Sequence, residues 1–184
     1  MKFNNDNLII DPNDKILRVK CSDVSFPLSK EDKETALGLR EYVYMSTFED
    51  RLEELNLNPA VGIAAPQVGI TKRICVVYID FEDGEKTDLI MINPKIMAHS
   101  MEMVFLEGGE ACLSIQDAHE GLVNRYAYIK VKYYDLEGKE HLIESEGFEA
   151  IAIQHEIDHL NGVLFYDHIN KKEPFKVVEN AFPL

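Results

Sequence analysis

Phe148-Glu149-Ala150-Ile151-Ala152-Ile153-Gln154-His155-Glu156-Ile157-Asp158-His159-Leu160 reads as a helix built for burial. Phe148, Ile151, Ala152, Ile153, Ile157 and Leu160 put apolar side chains on nearly every face, and a helix apolar all round belongs inside a fold. Asn161-Gly162 stops it, because Gly readily supplies the left-handed conformation that ends a helix. His155, Glu156 and His159 interrupt this apolar frame. Buried without partners, each would cost on the order of several kcal/mol, so something must satisfy them. Residues i and i+4 stack on one side of a helix, so the two imidazoles project together and can share one metal ion. Glu156 follows the first histidine directly, where a carboxylate reaches a water at the metal without itself ligating. Two chance histidines on a solvated face would not sit among so many isoleucines.

Upstream of this helix the chain reads mainly as strands. Arg73 to Asp80 is a β-branched run, and Asp83-Gly84 turns it into Leu89 to Ile92. Tyr128 to Tyr134 sets Lys130 and Lys132 against Ile129 and Val131, the alternation of a half-buried strand. Leu136 to Lys139 turns it into a partner at His141 to Glu144. Nearer the N-terminus, Ser29 is placed to cap a helix running through Ala36, Leu39 and Val43, with Asp32 three residues on. Asn58-Pro59 ends that region. Ala60 to Gly69, rich in Gly, Ala and Pro, reads as a tightly packed loop where the backbone approaches something closely. The expected fold class is α+β, with antiparallel β-sheets packed around the central helix and one N-terminal helix. A single domain over residues 1–184 is expected.

Composition narrows the function. With 33 Asp and Glu against 19 Lys and Arg, the net charge is −14, which disfavours a phosphate-binding surface. No basic stripe or Gly-rich phosphate loop occurs, so direct nucleic-acid binding is not expected. No run of about 18 uncharged apolar residues would span a membrane. The N-terminal residues lack the basic-then-apolar layout of a secretory signal, and Cys21, Cys75 and Cys112 form no disulfide framework. A cytoplasmic monomer is the expectation.

The third metal ligand decides the chemistry. One group of zinc proteases places a histidine six residues after the second one, but Phe165 holds that position here. Another uses a downstream glutamate; Glu179 is at a permitted distance, but Gly162 and Pro174 leave no room for the helix that should carry it. A softer donor lies upstream in Glu110-Ala111-Cys112-Leu113-Ser114. Taken alone, Cys112 is better read as a buried thiol. Beside the histidine pair, ligation is the better reading. A thiolate and two imidazoles suit Zn, Fe(II), Co(II) or Ni(II) and leave a fourth position for water.

Three segments in this order resemble the peptide deformylase family. Ala60 to Gln67 is similar to its Gly-x-Gly-x-Ala-Ala-Pro-Gln motif, Glu110 to Ser114 to Glu-Gly-Cys-Leu-Ser, and Gln154 to His159 to Gln-His-Glu-x-Asp-His. Ser29 to Leu57 and Phe165 to Asn170 resemble the longer form found in Gram-positive bacteria. The resemblance implies hydrolytic removal of the formyl group from formyl-Met peptides and nascent chains, with release of formate. It implies Fe(II) held by Cys112, His155 and His159, and Glu156 as the proton-transferring base. It further implies that the Gln67 side-chain amide and the Leu113 backbone N–H meet the oxyanion. Glu110 and Arg125 resemble a structural ion pair behind the ligands. Val61, Phe148 and Ala152 look like the lining of the pocket for the first side chain, with Gly62 and Ile63 offering backbone to an extended peptide.

Two departures stand out: Ala60 and Ala111 replace family glycines. If either position needs a positive φ, the methyl is strained by roughly 1–2 kcal/mol. Two rival readings remain. An endopeptidase is disfavoured by Phe165 and by the want of a downstream ligand. A non-catalytic binding module is disfavoured by the presence of Glu156 and Gln67.

Overall fold

The computed structural model describes residues 2–184. Three helices form: α1 (Lys30–Met45), the short α2 (Leu52–Leu55) and α3 (Gly147–Leu160). Ser29 caps α1, its hydroxyl oxygen accepting the Asp32 N–H at 3.0 Å. This satisfies one of the donors that a helix start leaves unpaired. Gly162, at φ +73°, lies just past the end of α3, where a side chain would strike the Arg18 carbonyl.

Five strands form the main sheet: β1 (Gly62–Ala64), β2 (Ile74–Asp80), β3 (Lys86–His99), β6 (Tyr128–Tyr134) and β7 (Glu140–Glu146). They lie side by side in the order β1-β2-β3-β6-β7, every pair antiparallel. Alternation along β2 explains why the sheet is covered on both faces. Ile74, Val76 and Tyr78 pack with Ala36, Leu39, Tyr42 and Val43 of α1. Cys75, Val77 and Ile79 pack with Ala150, Ile153, Ile157 and Leu160 of α3. Each large aliphatic buried this way contributes roughly 1.5–3 kcal/mol, which seats the helix firmly on the sheet.

Three short strands make a second sheet: β4 (Met103–Phe105), β5 (Arg125–Tyr126) and β8 (Ala181–Pro183), in the order β5-β4-β8. The β4–β8 ladder is parallel, so the architecture is not antiparallel throughout. Two further expectations change. Ala60 to Gly69 is not a loop: Gly62–Ala64 pairs with β2 as an edge strand, and Ala65–Val68 makes a single 3-10 turn. β3 also runs well past Ile92, because a bulge there absorbs Asn93-Pro94. Asn93 takes φ +52°, and its amide side chain pairs with both the N–H and the C=O of Val24. No helix among the described residues is long and apolar enough to cross a membrane.

Candidate metal centre

The loop carrying Cys112 folds back on itself, the Ile115 N–H donating to the Cys112 carbonyl at 3.1 Å. This brings the thiol against α3. Cys112 Sγ lies 3.3 Å from His159 Nε2. One donor atom each from Cys112, His155 and His159 fall within 4.8 Å of one another. His155 is oriented from behind, its Nδ1 lying 2.8 Å from Glu110 Oε2, which leaves Nε2 as its free ring nitrogen. Glu110 is clamped in turn by Arg125, whose Nε and second terminal nitrogen donate to its two oxygens at 2.8 and 2.9 Å. Both partners are almost fully buried, so this is a bidentate ion pair inside the protein.

Electrostatics follow from burial and from these partners. Burial works against an ionised Glu110, but Arg125 and His155 outweigh it and hold its pKa down at about 2. Burial likewise opposes a charged His155, yet Cys112 and Glu110 on either side raise it to about 10. His159 moves the other way, well below its ordinary value, through burial and the adjacent His155. The Cys112 sulfur and the ionised Glu110 carboxylate therefore flank the His155 ring where the donors converge. The S and N donor set and this local charge both suit a divalent cation. One oxygen of Glu156 is buried with no hydrogen-bond partner, as expected of a group that faces a bound water or substrate. Burial raises the Glu156 pKa to about 7, the range in which a carboxyl both accepts and returns a proton near neutrality.

Gln67 is buried on the 3-10 turn after β1. Its Oε1 accepts the Ala64 N–H at 2.8 Å, so its NH2 is left facing Cys112 Sγ, 3.6 Å away. The Leu113 N–H pairs with no acceptor among the described residues. Cys112, Leu113, Gln67, His155 and Glu156 line one cavity of about 1460 Å3. Val61, Gly62, Phe148 and Ala152 line the same cavity, whereas Ile63 is fully buried behind it. Val61 and Phe148 are more than one-third exposed, so Phe148 is not a core residue but part of an open wall. Gly62 and Ile63 lie on β1, an edge strand with one side unpaired. Ala111 is exposed on the cavity wall, and neither Ala60 nor Ala111 adopts a positive φ, so neither methyl is strained.

Two residues that sequence reasoning passed over belong to the same network. Asp158 accepts from Arg125, and His168 Nε2 lies 2.7 Å from Asp158 Oδ2. Both fall in segments that resemble the family, but neither carries an expected role, and nothing in their local pattern reveals a shared partner.

Comparison with known proteins identifies relatives along most of the chain. The chain matches the Polypeptide deformylase family over residues 7–175. It is 43% identical over 176 residues to Peptide deformylase 2 of Bacillus cereus, covering 96% of each chain. With the peptide deformylase of Macrococcus caseolyticus it shares 46% identity over 168 residues, 90% of each. Among solved structures, a Met-Ala-Ser-bound class I type b peptide deformylase from Acinetobacter baumannii superposes with a TM-score of 0.67. That alignment has 35% identity and covers 85% of this chain and 94% of the other. A plant peptide deformylase superposes with a TM-score of 0.73 at 27% identity, covering 94% of this chain and 85% of the other.

Proposed function

This chain belongs to the peptide deformylase family, metal-dependent hydrolases that remove the N-formyl group from new polypeptides, and from that premise we propose how its own residues share the work. Cys112, His155 and His159 are the ligands, in one domain over residues 1–184, acting in the cytoplasm as a monomer on formyl-Met peptides and nascent chains. The convergence of their three donor atoms within 4.8 Å is the observation that carries this reading. Fe(II) is the proposed ion, on family grounds; Zn, Co(II) and Ni(II) fit the same donors. The bound metal supplies Lewis-acid polarisation and makes water acidic enough to react near neutral pH.

The protein's own groups do the rest. Glu156, buried and poised near 7, takes a proton from the attacking water. It returns that proton to the amine nitrogen as the C–N bond breaks, so formate and a free N-terminal amine leave. The Gln67 amide and the Leu113 N–H donate to the oxygen on which negative charge grows. Glu110 holds His155 in its ligating orientation, and Arg125 keeps Glu110 ionised. The free edge of β1 lets an extended peptide pair with Gly62 and Ile63, and Val61, Phe148 and Ala152 receive its first side chain.

Formate release from formyl-Met-Ala-Ser tests the division of labour. Glu156→Ala is expected to keep its metal and lose turnover by about 100-fold or more. Turnover equal to the parent's would remove Glu156 from the mechanism. Cleavage of unblocked peptide bonds without formate would make the protein an endopeptidase.

A further inference from the structure

The chain leaves α3, turns at Asn161-Gly162 and returns to pack a one-turn 3-10 helix, Phe165–His168, against the back of the metal centre. This turn is held from both sides. Asp167 is paired with Arg18 and accepts the Leu164 N–H at 2.9 Å. Phe165 is buried and lays its ring nearly parallel to that of His155, at 17°, with centroids 6.1 Å apart. His168 points its Nε2 at Asp158 Oδ2, 2.7 Å away. Its side chain is more than one-third exposed, whereas Asp158 and Arg125 lie deeper.

The charges make His168 more than a surface contact. The Arg125 guanidinium serves two carboxylates, Glu110 on one side and Asp158 on the other. Asp158 sits on α3 between the two histidine ligands in sequence and shares Arg125 with Glu110, the carboxylate that orients His155. A donor from His168 occupies the Asp158 oxygen that Arg125 also contacts. It thereby relieves Arg125 of part of that demand. Removing the donor leaves Arg125 to be drawn toward Asp158 and away from Glu110.

We propose that His168 is a positioning residue for the metal site, acting through Asp158, Arg125 and Glu110 to hold the His155 ring in its ligating orientation. This rests on the ligand set proposed above. None of Phe165 to His168 lines the cavity shared by Cys112, His155 and Glu156; the effect is transmitted from behind. Partners of ligating histidines typically change metal affinity about 10- to 100-fold when removed.

The test is Zn(II) affinity by chelator competition on the full chain, for the parent, His168→Ala and His168→Gln, with formyl-Met-Ala-Ser kinetics alongside. Gln can place an amide N–H near the position of Nε2. Zn(II) binding about tenfold weaker in His168→Ala, restored most of the way in His168→Gln with KM unchanged, is the expected result. His141→Ala, which breaks a His–Asp pair at the β7 edge of the main sheet, is expected to leave affinity at the parent's value. If His168→Ala does not fold, His168→Gln and His168→Asn carry the comparison, the shorter amide being expected to bind more weakly. Affinity equal to the parent's in a folded Ala or Asn variant overturns the proposal, as does an equal loss in the Ala and Gln variants. A parent that binds no Zn(II), or a Cys112→Ser variant that binds it as tightly, contradicts the ligand set instead.

Discussion

A Cβ built on Gly62 would lie 2.5 Å from Glu156 Oε1 and 2.9 Å from both Cδ and Cγ of the same side chain. Gly62 has an ordinary strand conformation, so it is there for space, not for backbone freedom. Glu156 is 4% exposed and lines the cavity, so an added methyl at Gly62 would push its carboxyl out of its present place. Gly62→Ala is therefore expected to displace the base while sparing the ligands. Zn(II) content should stay at the parent's level, and kcat for formate release should fall by about 100-fold or more. Overpacking should also lower stability by about 1–3 kcal/mol, read from a denaturant titration. Normal kcat in this variant would show that the carboxyl can work from elsewhere.

Gln67 joins two tasks, accepting from Ala64 N–H and turning its NH2 toward the site. Gln67→Ala should reduce kcat by about 100- to 1000-fold, the usual effect of losing one oxyanion donor. It also strands a buried N–H, at about 1–3 kcal/mol of stability. Gln67→Glu separates the two effects: it keeps the acceptor for Ala64 but loses the donor, so stability near neutral pH should recover more than kcat does.

Fold and site were legible to different depths. The metal-site helix announces itself because two histidines and a glutamate are out of place among isoleucines, and α3 begins one residue before the expected start, at Gly147. Tyr128–Tyr134 shows its alternation plainly and forms over those residues. The second sheet could not be read, since Arg125–Tyr126 and Met103–Phe105 are too short to show a period and β8 is paired only by the tertiary fold. The sequence reading of β3 ends at Ile92, and the strand continues past it through a bulge at Asn93-Pro94 that pairs with Val24, distant in sequence. Cys112 was found because a helix elsewhere needed a third donor. Asp158 and His168 were missed because their meaning lies in Arg125, which neither adjoins in sequence.

The ion pair between Asp32 and Lys72 ties the first turn of α1 to the segment before β2. Burial alone would raise the Asp32 pKa, but Lys72 and the Ser29 hydroxyl more than offset it and leave the carboxyl below its ordinary value. A folded-state pKa below the unfolded one means that the pair stabilises above the ordinary carboxylate range. That contribution is lost as pH falls through the folded value. Asp32→Ala should cost about 1–3 kcal/mol at pH 7, and the gap to the parent should close progressively below about pH 4. Denaturant midpoints of the two proteins at pH 7 and pH 3 check this. A gap that is the same at both values would mean that packing, not charge, is what Asp32 supplies.

The ligand set itself is best tested by X-ray absorption at the zinc edge on Zn(II)-loaded protein, which reads the donor atoms without reference to activity. One sulfur at about 2.3 Å and two imidazole nitrogens at about 2.0–2.1 Å are expected, with the sulfur lost in Cys112→Ser. A first shell without sulfur, or one with a single imidazole, would contradict the joining of Cys112 to His155 and His159 around one ion.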